Sequence, residues 1–247
     1  MTFSGWLGLL LVIAFFILII VFAVLGRNRP SRNLREIPAF ARLGQAVGYA
    51  VEAGSRLHIS LGSGDLIGFH SAVAYVGLSM LRRIARATSI SDKPPVATSG
   101  EGAIAILSQD TLRSNAREMR IEFDPMSGRL VGLTPFSYAA GALAVVYDED
   151  VGANVLVGNF GSEVALINEA GERSGSLTLA GTDDVSGQAV LYATAQEALI
   201  GEETFAGGAY LGAGPMHIAS LRVQDIFRWV LILAMLVGAL LKLVGIL

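Results

Sequence analysis

The sequence predicts an α/β fold: a Rossmann-like, mostly parallel sheet between two terminal transmembrane helices. Three observations predict it. The chain opens and closes on long apolar runs. Between them a unit repeats, in which a short apolar strand ends in Gly, Ser or Thr and a helix follows. Strands separated by helices need crossover connections, and parallel pairing is what such connections serve.

Trp6 to Leu25 holds no charged side chain. A helix of that length rises ~30 Å, the thickness of a bilayer's hydrocarbon core. A cleaved signal peptide is the rival reading. Against it, no Lys or Arg precedes the run, the run exceeds a signal core, and no A-x-A site follows. Trp229 to Leu247 is the second span, with Trp229 placed as an interfacial aromatic and Lys242 near the far end, able to snorkel. Gly214-Pro215 sets up a helix start, since Pro at the first helical position gives up no hydrogen bond. One helix then runs from the domain into the bilayer as a stalk, with Arg222, Asp225 and Arg228 on a solvated stripe. After the first span, Gly26 and Pro30 favour a bend.

The organisation that follows is 1–26 for the first transmembrane helix and 27–56 for a juxtamembrane linker and helix. An α/β domain covers 57–213, and 214–247 form the stalk and second transmembrane helix. Arg27, Arg29, Arg32, Arg35, Arg222 and Arg228 flank the spans on the central side, against Lys242 on the other. The positive-inside rule therefore places the central domain in the cytoplasm and both termini outside a two-pass protein of the cell (inner) membrane.

Composition narrows the chemistry. The chain has 247 residues, 53% hydrophobic and 16% charged, with a net charge of −3. No bulk basic surface argues for nucleic acid as a partner. Cysteine is absent, which excludes disulfides, Cys-ligated zinc, iron–sulfur clusters and thiol nucleophiles. His58, His70 and His217 are too scattered for a metal cluster.

Ile37 to Ala53 reads as a helix, with Phe40, Leu43, Val47 and Val51 at helical spacing. Leu57 to Leu61 is the first strand, turning through Gly62-Ser63-Gly64-Asp65 into a helix that reaches Arg86. Val96-Ala97-Thr98 leads through Ser99-Gly100-Glu101 into a helix, and Leu130 to Leu133 leads through Thr134-Pro135 into another. Val155-Leu156-Val157 precedes Gly158-Asn159-Phe160-Gly161-Ser162-Glu163, and Leu177-Thr178-Leu179 precedes Gly181-Thr182-Asp183-Asp184. Ala198-Leu199-Ile200 is the candidate sixth strand. Arg120 to Asp124 reads as a hairpin turn or an edge strand. The interval between strands shrinks along the chain, whereas stacked solenoid repeats keep a fixed period.

Right-handed crossovers put every strand-to-helix turn on one edge of the sheet. A ligand bound there would meet Gly62, Ser63, Gly64, Ser99, Gly100, Thr134, Gly158, Asn159, Gly181 and Thr182. The run Gly62-x-Gly64-x-x-x-Gly68 is similar to a dinucleotide fingerprint, in which backbone amides meet a pyrophosphate. Asp65 stands against this, because it puts a carboxylate where a phosphate would sit. Glu101, Glu163, Asp183 and Glu202 raise the same objection at the other helix starts, and as helix caps all five have a plain structural role. Asp183-Asp184 could hold Mg²⁺ or serve as a cap and first-turn acid. Asp148-Glu149-Asp150 reads as a solvated turn. His58, alternating with Leu57 and Ile59, reads as a residue satisfied on one sheet face; His70 reaches the turn edge only if its helix starts late. Arg82, Arg83 and Arg86 complement a helix C-terminus or meet anionic headgroups. No nucleophile elbow and no Walker loop is present.

The stretch Leu34-Arg35-Glu36-Ile37-Pro38-Ala39-Phe40, continuing through Ala50 to Gly54 and Leu57 to Gly62, resembles a family of bacterial membrane proteins defined by a domain of unknown function. The resemblance implies a membrane-associated prokaryotic protein with a Gly-rich α/β region, and it brings no activity and no site residues. The expectation is a membrane-anchored, non-enzymatic assembly or small-ligand-binding module. Its partners would be the lipid bilayer and further copies or subunits, with no nucleic acid; Ala234-x-x-x-Gly238 offers a small face for helix contact. The alternative is a nucleotide- or dinucleotide-dependent enzyme or sensor using the same sheet edge. The sequence names no cofactor.

Overall fold

The structure, a computed structural model, describes residues 3–26, 34–212 and 214–245. It divides into two compact units, one formed by Glu36–Leu211 and one by Met1–Arg35 with Gly212–Leu247.

The second unit is built on two helices, α1 (Phe3–Gly26) and α9 (Pro215–Leu243). Both are long and apolar enough to cross a membrane. Their apolar windows are only 6% and 0% buried, unlike the core helix of a soluble protein. Phe15 and Phe227 meet edge to face, with ring centroids 5.6 Å apart. Pro215 opens α9 at its first turn, and Asp225 and Arg228 pair along it at 3.5 Å. The expected bend at Pro30 and the basic residues Arg27, Arg29 and Arg32 lie outside the described residues.

In the Glu36–Leu211 unit the α/β expectation is met, and every strand is parallel. The strands are β1 (Arg56–Gly62), β2 (Val96–Ser99), β3 (Gly128–Leu130), β4 (Val151–Asn159), β5 (Leu177–Thr182) and β6 (Glu197–Leu199). Their spatial order is β3-β2-β1-β4-β5-β6. Connecting them are α3 (Ser71–Ala87), α4 (Gly102–Met119), α5 (Pro135–Asp148), α6 (Val164–Arg173) and α7 (Val185–Thr194), with α2 (Pro38–Ala53) before and α8 (Gly207–Tyr210) after. Arg120 to Asp124 is neither hairpin nor strand: Arg120 closes α4 in a left-handed conformation, and a 3₁₀ turn over Pro125–Ser127 leads into β3. The sixth strand is followed by a 3₁₀ segment, Gly201–Ala206, in place of another long helix.

Handedness explains which helix covers which face. Stepping from β1 to β2 to β3 moves one way across the sheet; stepping from β3 back to β4, β5 and β6 moves the other way. Right-handed crossovers then put α3 and α4 on one face and α5, α6 and α7 on the opposite one. The two hydrophobic clusters divide accordingly. Leu57, Ile59, Leu61, Val155 and Leu179 join α3 and α4, while Leu156 and Ala180 join Tyr138, Ile167 and Leu191 of α5, α6 and α7. This wiring leaves the first face bare over β4 to β6. The amphipathic α2 fills the gap, burying Phe40, Leu43 and Ala50 in the α3 cluster. Phe40 stacks on Tyr210 at 4.9 Å, so the two ends of this unit meet.

One polar row crosses the buried sheet. His58 is fully buried between Asn154 Oδ1 at 2.7 Å and Thr98 Oγ1 at 2.8 Å, as a satisfied sheet-face residue. An amide oxygen only accepts, so Nδ1 carries the proton and Nε2 accepts from the Thr98 hydroxyl. The row continues from Thr98 to the Tyr138 hydroxyl at 3.2 Å, which also meets Ser60 Oγ at 2.5 Å. Burial pushes the His58 pKa down to about 4, against the help of its bond to Asn154.

The unfolded chain therefore binds a proton near pH 6.5 that the folded chain refuses until about pH 4. This contribution to stability is whole above the unfolded value and is lost as pH falls through that window, to a maximum of roughly 3 kcal/mol. Denaturation curves across this range should show His58→Gln losing less stability than the wild type. Equal losses in both would remove His58 as the source.

Candidate functional site

β1 is the centre of the wiring. The chain leaves it toward β2 on one side, and β4 adds on the other, so the loops after β1 and β4 diverge to opposite faces. In open α/β sheets a crevice forms at such a point, outside the C-terminal strand ends. Here the strand ends at that point are glycine, Gly62 on β1 and Gly158 on β4. Gly62 has a φ of 68°, and a Cβ on it would lie 2.4 Å from the Asn159 carbonyl oxygen. A Cβ on Gly158 would lie 2.0 Å from the Leu61 oxygen. No other residue permits this approach.

The backbone amides around the turn are engaged. Ser63 N donates to Asn159 O at 3.1 Å, Gly100 N to Gly62 O at 2.8 Å, and Gly62 N to the Tyr138 hydroxyl at 3.2 Å. A dinucleotide site needs such amides turned toward a pyrophosphate. The expected strand-turn-helix around Gly62 to Gly68 is also corrected: α3 begins only at Ser71, after an eight-residue loop, 63–70. Gly64 and Gly68 disfavour helix, and the loop folds back until Asp65 Oδ2 sits 1.9 Å from where a Gly68 Cβ would be. Asp65 is consequently an exposed loop residue and caps nothing.

The late helix start brings His70 to the edge, as the residue just before α3. Its Nδ1 lies 2.8 Å from Asp183 Oδ2, and Asn159 Nδ2 lies 2.9 Å from Asp183 Oδ1 and 2.9 Å from His70 Nδ1. The carboxylate can only accept, so it sets the proton on Nδ1 and the amide N–H on its other oxygen. That leaves Nε2 with its lone pair on a side chain 45% exposed, while Asp183 is 13% exposed. An imidazole oriented in this way can accept a hydrogen bond from a ligand or exchange a proton with it. Asp183 and Asp184 divide their work. Asp184 caps α7 by accepting from Gly187 N at 2.8 Å, and the Ser186 hydroxyl followed by that amide holds its carboxyl below the usual range.

The ten residues expected at the edge all lie at strand ends or in the connections that follow them, in three kinds of environment. Gly62, Gly64, Ser99, Gly100, Gly158, Gly181 and Thr182 are buried and shape the edge from beneath. Ser99 closes a local turn on Glu101, and Thr182 Oγ1 bridges Phe160 N at 3.0 Å and Phe160 O at 3.1 Å. Thr134 caps α5 in a box with Ser137. Ser63 and Asn159 remain partly accessible, and Asn159 alone among the ten joins the His70–Asp183 pair. His70 and Asp183 complete the cluster; the signal for His70 is the gap between Gly64 and Val73, where the apolar helical spacing begins. Ile67 and Phe69 stand fully exposed on the same loop, at 98% and 102%.

Other charged groups have structural partners. Glu101 caps α4 through Ile104 N at 2.8 Å, and Glu163 takes Gly161 N at 2.8 Å. Arg82 and Arg86 pair with Glu118, and Arg83 Nε donates to Leu211 O at 2.7 Å. Glu149 is more than a solvated turn residue. Burial opposes its charge, yet Arg129 and Arg56 outweigh it and hold the carboxyl below the usual range. Among the described residues no group of three or more His, Asp or Glu side chains is placed to hold a metal ion.

Neither the curated proteins nor the solved structures contain a match to this chain. A family model does match, over residues 2–247. It extends the resemblance seen around residues 34 to 64 to the whole chain, which therefore belongs to the family described as Domain of unknown function (DUF6754).

Proposed function

We propose that this chain is a membrane-anchored module whose α/β domain binds a small ligand in the crevice between the ends of β1 and β4, with His70 Nε2 as the ligand-facing group. The observation that carries the reading is the convergence of His70, Asn159 and Asp183, from three separate strand-to-helix connections, within hydrogen-bond distance. A core-stabilising role would not need the imidazole half in solvent. Parallel α/β sheets bind ligands at this place, which supports the location and says nothing of the ligand.

The ligand is neutral or cationic and brings a hydrogen-bond donor. Nε2 is an acceptor, and Asp65, Asp183 and Asp184 repel anions. Nucleotides fit poorly, because the amides of Gly62, Ser63 and Gly100 already have partners. In a melting-temperature screen of small polar metabolites, NAD⁺, NADPH, ATP and GTP should leave the detergent-solubilised chain unshifted. A true ligand at a hundredfold excess over its Kd adds about 2.7 kcal/mol, and His70→Gln and Asp183→Asn should each abolish that gain. Nucleotide stabilisation, or stabilisation indifferent to both variants, would contradict the proposal.

The positive-inside bias of Arg35, Arg222 and Arg228, with Arg27, Arg29 and Arg32, supports a cytoplasmic domain and external termini in a bacterial inner membrane. Protease added to intact cells should spare the domain and protease added to inside-out vesicles should cut it; the reverse pattern inverts the topology. Two spans are too few to enclose a path alone, and a Cβ on Gly238 would meet nothing within 4 Å, leaving that helix face open for another copy. Native mass measurement in mild detergent should find an oligomer that Gly238→Leu weakens. A wild-type monomer would end the assembly reading.

A further inference from the structure

The unit formed by α1 and α9 has a cavity of its own, of about 470 Å³, between the two helices. Its volume falls in the range of small-molecule sites. α9 lines it with one face, read at helical spacing: Gln224, Arg228, then Leu231, Ile232 and Met235. Phe15 closes it from α1, edge to face with Phe227. The lining is therefore polar at one end and apolar over the following two turns, which matches an amphiphile and not a polar metabolite.

Charge selects the kind of amphiphile. α1 carries no charged side chain from Phe3 to Gly26 and so offers Arg228 no counter-ion. On α9, Asp225 pairs with Arg228 at 3.5 Å, with side chains 66% and 49% exposed. An exposed pair of that length contributes little. Arg222, three residues earlier, makes the stripe two guanidiniums to one carboxylate. A guanidinium beside lipid chains is costly unless an anion accompanies it, and its planar fork takes two phosphate oxygens at once. Trp229 follows, 70% exposed, and from there to Leu243 the only charged side chain of α9 is Lys242. Arg228 thus stands where the apolar stretch of α9 begins, the level at which headgroups meet hydrocarbon.

We propose that the groove between α1 and α9 is a binding site for one anionic phospholipid. Arg228 and Gln224 donate to its phosphate, and an acyl chain lies along Leu231, Ile232 and Met235 against Phe15. A zwitterionic lipid would bring its cation to a stripe that is already positive, and free phosphate would fill the polar end alone. A second groove, of about 390 Å³ beside Trp6, Leu7, Leu9, Leu10 and Ile13, has no polar lining residue and gives a lipid no reason to be chosen by its headgroup. The site shares no residue with the crevice at His70 and stands independently of the ligand proposed there.

The two tryptophans of the chain, Trp6 and Trp229, each lie by one groove and report on it. Full-length Trp6→Phe, reconstituted in phosphatidylcholine vesicles, leaves Trp229 as the sole reporter. A small fraction of chain-brominated phosphatidylglycerol should quench Trp229 as though enriched about tenfold beside it, the scale of one charge-assisted hydrogen bond. Brominated phosphatidylcholine and phosphatidylethanolamine should quench it in their bulk proportion. Arg228→Gln should return phosphatidylglycerol to that proportion, and inorganic phosphate should not relieve the quenching. In full-length Trp229→Phe, the remaining Trp6 should sense all three lipids alike. The Trp6→Phe lipid comparison changes nothing in the groove, so it stands even if Arg228→Gln fails to fold. Equal quenching of Trp229 by the three lipids, stronger quenching by a zwitterionic one, the same preference at Trp6, a preference that survives Arg228→Gln, or relief by inorganic phosphate would overturn the proposal.

Discussion

The candidate site rests on the closeness of two backbones. At the ends of β1 and β4 the chain passes so near itself that a Cβ at Gly158 would overlap the Leu61 carbonyl, and one at Gly62 would overlap Asn159. Everything at the crevice follows from that contact. It makes the Ser63–Asn159 backbone bond possible and points the Asn159 side chain over the edge. It also brings Asn159 and His70 close against Gly64, where a Cβ would lie 3.1 Å from that of Asn159 and 3.4 Å from that of His70. A single methyl group at 158 would separate the strand ends and, with them, the three connections that meet at Asp183.

The same contact ties the site to the core. The Tyr138 hydroxyl accepts from Gly62 N and joins Ser60 and Thr98, and Thr98 joins His58 and so Asn154. Burial pushes the Tyr138 phenol up, opposed by its bonds to Ser60 and Thr98, so it remains a neutral donor and acceptor. A polar row inside a sheet is tolerable only when its members are satisfied. Here the β1 and β2 members are paired, while Asn154 Nδ2 at the β4 end of the row has no partner, and the row ends under the glycine turn. The turn is thus supported from below by hydrogen bonds, without a helix directly behind it.

The strands were legible because each is a short apolar run ending in Gly, Ser or Thr, a pattern that burial on both faces of a parallel sheet imposes. Strand order was not, because pairing is non-local: nothing in Val151 to Asn159 says that it lies beside β1 and not beside β3. The role of α2 was equally hidden. Phe40, Leu43 and Val47 announce an amphipathic helix, but the bare half-face it covers exists only once the handedness of the crossovers is applied to this order. At the site, the glycines were legible as turn formers, and the similarity of Gly62-x-Gly64 to a phosphate loop stayed an open alternative because composition does not show where amide hydrogens point. His70 and Asp183 are 113 residues apart and meet only through topology.

The central claim is that the β1–β4 contact holds His70 against Asp183 with Nε2 free. Nitrogen NMR of imidazole-labelled full-length chain, at a pH where the ring is neutral, reads it directly. His70 should carry its proton on Nδ1, the less common neutral tautomer in water, and should lose that preference in Asp183→Asn and in Gly158→Ala. A wild-type His70 with the tautomer mixture of a free imidazole would contradict the account.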